Sequence, residues 1–379
     1  MALRKIGVEE ELMLVDSDSG QLRAVSHRAL AAHREQVGAA ADDSEEFGAE
    51  AGLEQELFLQ QIETGTTPCT SVAELIADVR RCRQSAAESA EAIDVALIAV
   101  GAPVLAGGAE HVTPKPRYQK IVEEFGAISR EGSVCGMHVH VDVSGDDEAV
   151  MVIDGLRRWL PVLRALSVNS PFFQGEDSGY ASWRSQVWGR WPSAGPADPF
   201  VDIAGYRAAT EALVATGAAL DRGMLYLDAR LSESYPTVEI RVFDATTEID
   251  DTALVAALTR ALVQTTADSS QDSQHSVPRT DLLRAAHWRA SRYGLSDQLV
   301  DPISQELRPA RAVVEQTITF AEDALHAAGD VDLVRDHFER LMARGTGAAR
   351  QRTVAEAKGG LEAVVDDLRE RFQASLQSP

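Results

Sequence analysis

Glu9 and Glu11 stand two residues apart in Gly7-Val8-Glu9-Glu10-Glu11-Leu12-Met13-Leu14-Val15. Side chains alternate faces along a strand, so the two carboxylates share one face, and Val8, Leu12 and Leu14 share the other with Glu10. Carboxylates about 7 Å apart on one sheet face repel each other unless a cation lies between them. The chemistry that suits this pattern is a divalent metal with oxygen ligands, Mg²⁺ or Mn²⁺. An exposed edge strand, charged against aggregation, is the alternative.

The pattern recurs. His138, His140 and Asp142 share a face in residues 137–143, and Tyr226, Asp228 and Arg230 do so in 225–231. Glu239 and Arg241 lie opposite Val238, Ile240 and Val242. Solvated strand faces favour Lys, Thr and Ser. These faces carry Glu, His, Asp and Arg, which together imply a shared charged cleft. There Glu239 is a candidate metal ligand and Arg241 a fork for phosphate or carboxylate oxygens, with a structural ion pair between them as the alternative. His138-x-His140 admits a second reading, the zinc pair of an amidohydrolase barrel. Such a barrel needs alternating strand–helix units from near the start, and this sequence does not supply eight of them.

Glu56 and Glu63 are seven apart. That is one face of a helix but opposite faces of an unbroken strand, so spacing alone does not bring both to one site. Arg184 and Arg190 lie among Phe172, Phe173, Tyr180, Trp183, Trp188 and Trp191 in the irregular segment 169–200. So many aromatics argue for an ordered active-site loop. Its arginines would meet a triphosphate in an acidic cleft, or else stack on the rings for packing.

The rest of the chain must position these groups. Residues 6–16 read as a strand closed by the Asp16-Ser17-Asp18-Ser19-Gly20 turn. Residues 33–52 read as a loop, and 53–65 fits strand or helix alike. Ser71 with Glu74 resembles a capping box, so a helix is expected over 71–92. Strands at 95–101 and 134–143 follow, then a helix from after Gly145 to 168, kinked at Pro161. A helix at 202–219 leads to a strand pair, 224–231 and 236–243. Helices fill 251–269, 279–292, 302–328, 331–343 and 347–376. Strands early and helices late predict an α+β fold: an antiparallel β-sheet with helices packed on one face and a charged active-site cleft on the other. No linker divides the chain, so residues 1–379 are expected to form one domain, mostly helical from about 251. The P-loop and Rossmann glycine signatures are both missing.

A formal charge of −23 opposes binding to nucleic acid and to anionic membranes. It would repel ATP or a carboxylate too, so any anion site must be locally basic or neutralised by metal. No segment has the length needed to cross a membrane. Residues 1–5 lead straight into the acidic strand, which does not suit a signal peptide. The odd set of Cys69, Cys82 and Cys135 fits reduced thiols in a cytoplasm. Cys135 reads as a small core residue rather than a nucleophile.

Taken in order, several stretches resemble the carboxylate–amine ligase family, also called glutamate–cysteine ligase type 2. They are Gly7-Val8-Glu9-Glu10-Glu11, Gln61-Ile62-Glu63-Thr64, Gly136-Met137-His138-Val139-His140-Val141, Asn169-Ser170-Pro171-Phe172-Phe173 and Gly179-Tyr180-Ala181-Ser182-Trp183-Arg184. Asp228-Ala229-Arg230, residues 237–244, Trp288-Arg289-Ala290-Ser291-Arg292-Tyr293-Gly294 and residues 347–352 complete the set. No single motif is specific; the ordered set is. The resemblance implies a catalytic fold like that of glutamine synthetase and the guanidino kinases, and an ATP-dependent ligase that needs Mg²⁺ or Mn²⁺. It implies L-glutamate and an amine such as L-cysteine as substrates, an acyl-phosphate intermediate and a γ-glutamyl amide product. Carried over, Glu9, Glu11, Glu63 and Glu239 become metal ligands, with Glu56 and His138 beside them. Arg241, Arg230 and Arg184 would stabilise the transferring phosphoryl group, and Arg184, Arg241 and Tyr180 would contact the nucleotide. The sequence departs from the family at Leu225-Tyr226-Leu227 and Leu231-Ser232, where tryptophans and a proline are usual. A ligase-like fold kept as a non-catalytic metabolite binder is the remaining alternative, and the assembly state is open, a homodimer included.

Overall fold

The acidic triplet Glu9-Glu10-Glu11 lies within β1 (Ile6–Asp16), the hub of an antiparallel sheet. The computed structural model describes residues 3–38, 52–107, 111–130, 132–269 and 278–377. In chain order, β2 (Leu53–Gln55), β3 (Gln61–Gly65), β4 (Val95–Ile98) and β5 (Gly136–Asp142) follow β1. β6 (Phe172–Phe173) and β7 (Glu176–Asp177) form a small ribbon of their own. β8 (Ala229–Leu231) and β9 (Thr237–Asp244) complete the main sheet, whose order is β2-β3-β1-β5-β9-β8. β1 pairs with β3 along one edge and with β5 and then β4 along the other.

The stretch 53–65 is neither one strand nor one helix. It is a hairpin, β2 and β3 joined by a turn, and this changes where its acids point. α1 (Ser26–Val37) occupies the start of the segment expected to be a loop; residues 39–51 lie outside the described residues. α2 (Val72–Glu91) begins as expected: the Ser71 hydroxyl accepts from the Glu74 N–H, and the Glu74 carboxylate accepts from the Ser71 N–H. α3 (Pro116–Phe125) follows β4. The helix expected to kink at Pro161 is two helices, α4 (Asp146–Leu156) and α5 (Leu160–Ser167). Proline lacks the N–H an interior turn needs, and here it opens the second helix.

Segment 169–200 is ordered, with β6, β7 and α6 (Arg184–Trp188) inside it. α7 (Ile203–Ala215) leads to β8. α8 (Ile249–Asp268) is buried at every position from Asp251 to Val263, as befits a helix behind the centre of a sheet. α9 (Thr280–Tyr293) is followed by a hairpin, β10 (Gln298–Val300) with β11 (Leu307–Pro309), where a helix from 302 was expected. The Asp301 carboxylate accepts the backbone N–H groups of Ile303 and Ser304, which fixes a turn there. Helix resumes as α10 (Ala310–Phe320), α11 (Glu322–Ala328) and α12 (Val331–Arg344). The last stretch breaks into α13 (Gly347–Lys358) and α14 (Leu361–Gln377) at Gly359, which is left-handed at φ 76°.

The fold is α+β, as expected. Val8, Val139, Val141, Val238 and Ile240 are buried with residues of α4, α5 and α8 on one sheet face. Glu10 shares that face. It is paired with Arg83 of α2, which donates from Nη2 and Nε at 2.7 and 2.8 Å. The antiparallel sheet removes the parallel amidohydrolase barrel. No helix among the described residues is long and apolar enough to cross a membrane.

One irregularity matters for the cleft. Met137 pairs with Phe243, but Val139 pairs with Ile240, so Arg241 and Val242 together face His138. This extra residue is a β-bulge. Unbroken alternation would put Phe243 beside Glu239 and Arg241. The bulge instead sends Phe243 into the core and aligns Asp244 with Gly136 on the cleft side.

Candidate active site

Register carries the acids across the sheet. Glu11 pairs with Glu63, Glu9 with His138, and His140 with Glu239. Residues directly opposite each other in a ladder point to the same face, so four strands contribute to one row. Glu54 of β2 pairs with Glu63 and joins the row, and Glu56 follows immediately. Because the hairpin reverses the chain between them, Glu56 and Glu63 meet and share a hydrogen bond. The spacing of seven that left them unplaced describes a single element, and there are two.

The carboxylates perturb each other strongly. Burial and the neighbouring Glu56 push Glu11 up to about 7. Burial, with Glu56 and Glu9 beside it, pushes Glu63 well above the usual carboxylate range. Burial, Glu56 and Glu9 also raise Glu54 to about 7. Burial acts in the same direction on Glu9, but His140 and His138 outweigh it and hold that carboxyl well below its ordinary value. The Glu9 carboxylate lies 3.0 Å from His138 Nδ1 and 3.2 Å from His140 Nε2. Burial, then Arg241, depresses His138 to about 4, so its ring is neutral near pH 7. With Nδ1–H directed at Glu9, Nε2 carries the lone pair, and Nε2 has no hydrogen-bond partner.

Three arginines border the acids. Arg241 donates to Glu239 from Nη1, and Arg230 donates to it from Nε at 2.6 Å. Burial alone would raise Glu239, but Arg241 and Arg230 hold it below its ordinary range. Arg184, from the first turn of α6, lies over Gly136. A Cβ on Gly136 would come within 2.1 Å of the Arg184 Nη2, so only glycine admits this approach. The Gly136 N–H donates to Glu11 at 2.5 Å. Nε of Arg184 and of Arg241 are buried without a hydrogen-bond partner.

The residues fit a divalent cation. Glu9, Glu63 and His138 offer ligand atoms within 4.8 Å of one another, and so do Glu9, His140 and Glu239. Raised carboxyl pKa values are what acids crowded around a cation site display when protons stand in for it.

The other expected residues separate. Tyr180 belongs to an aromatic cluster with Trp183 and Arg292, and its hydroxyl accepts from Trp288 Nε1 at 3.2 Å. Arg190 is exposed beyond α6. The strand holding Arg230 starts only at Ala229, and Asp228 turns to Arg164 and His287, at 3.2 Å from each. Glu54, Gly136 and Asp244 went unassigned from sequence. Glu54 stands two before Glu56, a signal visible once 53–55 is known as a strand. The bulge hides Asp244, because strict alternation turns it away from the cleft.

The sequence matches the family model described as Glutamate-cysteine ligase family 2 over residues 5–367. A Nocardioides sp. protein named "Putative glutamate–cysteine ligase 2-1" is 46% identical over 381 residues, 99% of this chain and 97% of that one. A Streptomyces coelicolor protein named "Putative glutamate–cysteine ligase 2" is 43% identical over 381 residues, 98% of this chain and 100% of that one. Among solved structures, the glutamate–cysteine ligase of Francisella tularensis in complex with AMP is similar, with a TM-score of 0.72 and 12% identity. The match covers 100% of this chain and 90% of that one. At that identity the likeness is one of fold.

Proposed function

This chain belongs to glutamate–cysteine ligase family 2, and from that premise we propose that it is an ATP-dependent ligase joining a carboxylate to an amine. The carboxylate is L-glutamate, the amine is L-cysteine or a relative of it, and the products are a γ-glutamyl amide, ADP and phosphate. We read residues 1–379 as one catalytic domain acting in the cytoplasm. The observation that carries the reading is the row of Glu9, Glu11, Glu56 and Glu63 facing Arg184 and Arg241 across one sheet face.

A carboxylate acylates poorly because oxide does not leave. Phosphoryl transfer from ATP gives it a leaving group, and the amine then displaces phosphate. Glu9, Glu63 and His138 would hold Mg²⁺ or Mn²⁺, with Glu11, Glu56 and Glu239 around them. An ion held there would supply positive charge to offset that on the phosphate oxygens. Arg184 and Arg241, each with an unpartnered Nε, grip the moving phosphoryl group, and Arg230 holds Glu239 in place. Trp188, under the Arg184 guanidinium, limits water, which would hydrolyse the acyl phosphate.

Two results are expected. Gly136→Ala forces Arg184 off its seat and lowers turnover about tenfold or more; steady-state ADP release beside a melting curve checks this. Mg²⁺ affinity rises from pH 6 to pH 8, because Glu11 and Glu63 must shed protons to bind it, while His138 is already neutral throughout. The same raised carboxyls cost the metal-free protein stability as pH climbs through about 7, since the folded state gives up protons there that the unfolded chain has already lost. The stabilisation conferred by Mg²⁺ is therefore larger at pH 8, which calorimetric titration and melting curves at both pH values test.

The function itself is tested by ADP release with Mg²⁺, ATP and L-glutamate, with and without a panel of amines including L-cysteine. Amine-stimulated release supports the ligase and identifies the acceptor. ATP binding without release for any pair of substrates overturns it in favour of a non-catalytic binder.

A further inference from the structure

Arg184 is buried, yet its Nε has no hydrogen-bond partner, and its guanidinium rests on Gly136 and on the Trp188 ring, 5.6 Å from the centroid. The Glu11 and Asp244 charges attract the guanidinium, but its starting point is the backbone of α6, and that backbone is tied to one of these buried acids. Asp244 Oδ2 accepts from the Asn169 N–H at 2.8 Å and from the Ser170 hydroxyl at 2.7 Å. Asp244 Oδ1 accepts from the Ser182 hydroxyl at 2.7 Å. Each hydroxyl passes the contact on: Ser170 Oγ accepts from the Arg184 N–H at 3.0 Å, and Ser182 Oγ accepts from the Ser185 N–H at 3.3 Å. A carboxylate at the end of β9 therefore holds both ends of the 169–184 segment and the first turn of α6. Gly101 makes room for it, since a Cβ there would lie 2.8 Å from the Asp244 Cγ.

We propose that Asp244 is a positioning residue for Arg184: through Ser170 and Ser182 it fixes the start of α6, and so the place where the guanidinium meets the reacting group. The β9 bulge exists, in these terms, to deliver this carboxylate to the cleft side. The inference rests on the ligase reading for its kinetic part only.

Asp244→Asn is the test. Three donors converge on the carboxylate; an asparagine oxygen can take the Asn169 and Ser170 pair, but its NH₂ then faces Ser182, whose hydroxyl must turn from donor to acceptor, and the charge that attracts Arg184 is gone. Hydrogen–deuterium exchange is expected to quicken about tenfold or more at amides 183–188 and to stay unchanged in the central strands. In ADP release, Asp244→Asn is expected to lower kcat about tenfold in the wild-type background, and by less than about twofold in an Arg184→Lys background. A structural role spread over the whole protein would give additive losses. Unchanged exchange at 183–188 overturns the inference, and so do additive losses in kcat. If the wild type releases no ADP, the ligase reading fails while the exchange experiment still decides this one. Should Asp244→Asn not fold, Ser182→Ala removes one arm of the relay, and the same local signature is expected at reduced size.

Discussion

Glu9→Gln is expected to abolish ADP release, a loss of at least about 100-fold, in a protein that still folds. Glu9 belongs to both groups of ligand atoms, and its carboxylate lies between His138 and His140. Glutamine keeps the shape and one acceptor oxygen but removes the charge. The variant should melt close to the wild type and lose Mg²⁺ binding by calorimetric titration. Wild-type turnover in this variant would take Glu9 out of the metal site.

Glu10→Ala, one residue along, is expected to do the opposite and damage the fold. Its carboxylate faces the helices, where Arg83 is fully buried. Arg83 also donates to the carbonyls of Thr246 and Thr247, at 2.7 and 2.8 Å, so the guanidinium ties the end of β9 to α2 and β1. Removing Glu10 leaves that charge buried and uncompensated, a cost of about 3–5 kcal/mol. Urea unfolding measures it. A loss below about 1 kcal/mol would mean that the carbonyls of Thr246 and Thr247 suffice to hold the arginine. Replacing both partners together, Glu10→Leu with Arg83→Met, should cost far less than either single change.

The contrast between these neighbours is legible in the sequence, because period-two alternation separates Glu9 from Glu10. The same rule placed Glu11, His138, Glu239 and Arg241 on a common face, and register brought them together. Alternation fails where the chain departs from a regular strand. It could not join Glu56 to Glu63, since a reversal at 57–60 intervenes. It could not find Asp244, since a bulge changes parity three residues earlier. Asp228 went the other way: a face was assigned to a strand that begins one residue later. Helix boundaries were readable at Ser71, where capping chemistry is local, and were missed at 302–309, where a short hairpin sits inside helical composition. Tyr180, which the resemblance pairs with Arg184 at the nucleotide, packs on Trp183 and Arg292, a tertiary contact that no spacing in the sequence announces.

The central strand also has a history before the cleft exists. Glu9 contacts His138, 129 residues downstream, so β1 leaves the ribosome long before that partner is made. Leu12-Met13-Leu14-Val15 is then an exposed apolar run that could associate with other unfinished chains. Three consecutive glutamates adjoin it, and in-register stacking would align each with its twin. Their mutual repulsion makes them gatekeepers during synthesis. Charge-neutralising variants of this triplet should therefore lower soluble yield even where the purified protein is stable. On this expectation, the same glutamates that line the finished cleft, with Glu10 beside them, would keep its central strand single until the other strands arrive.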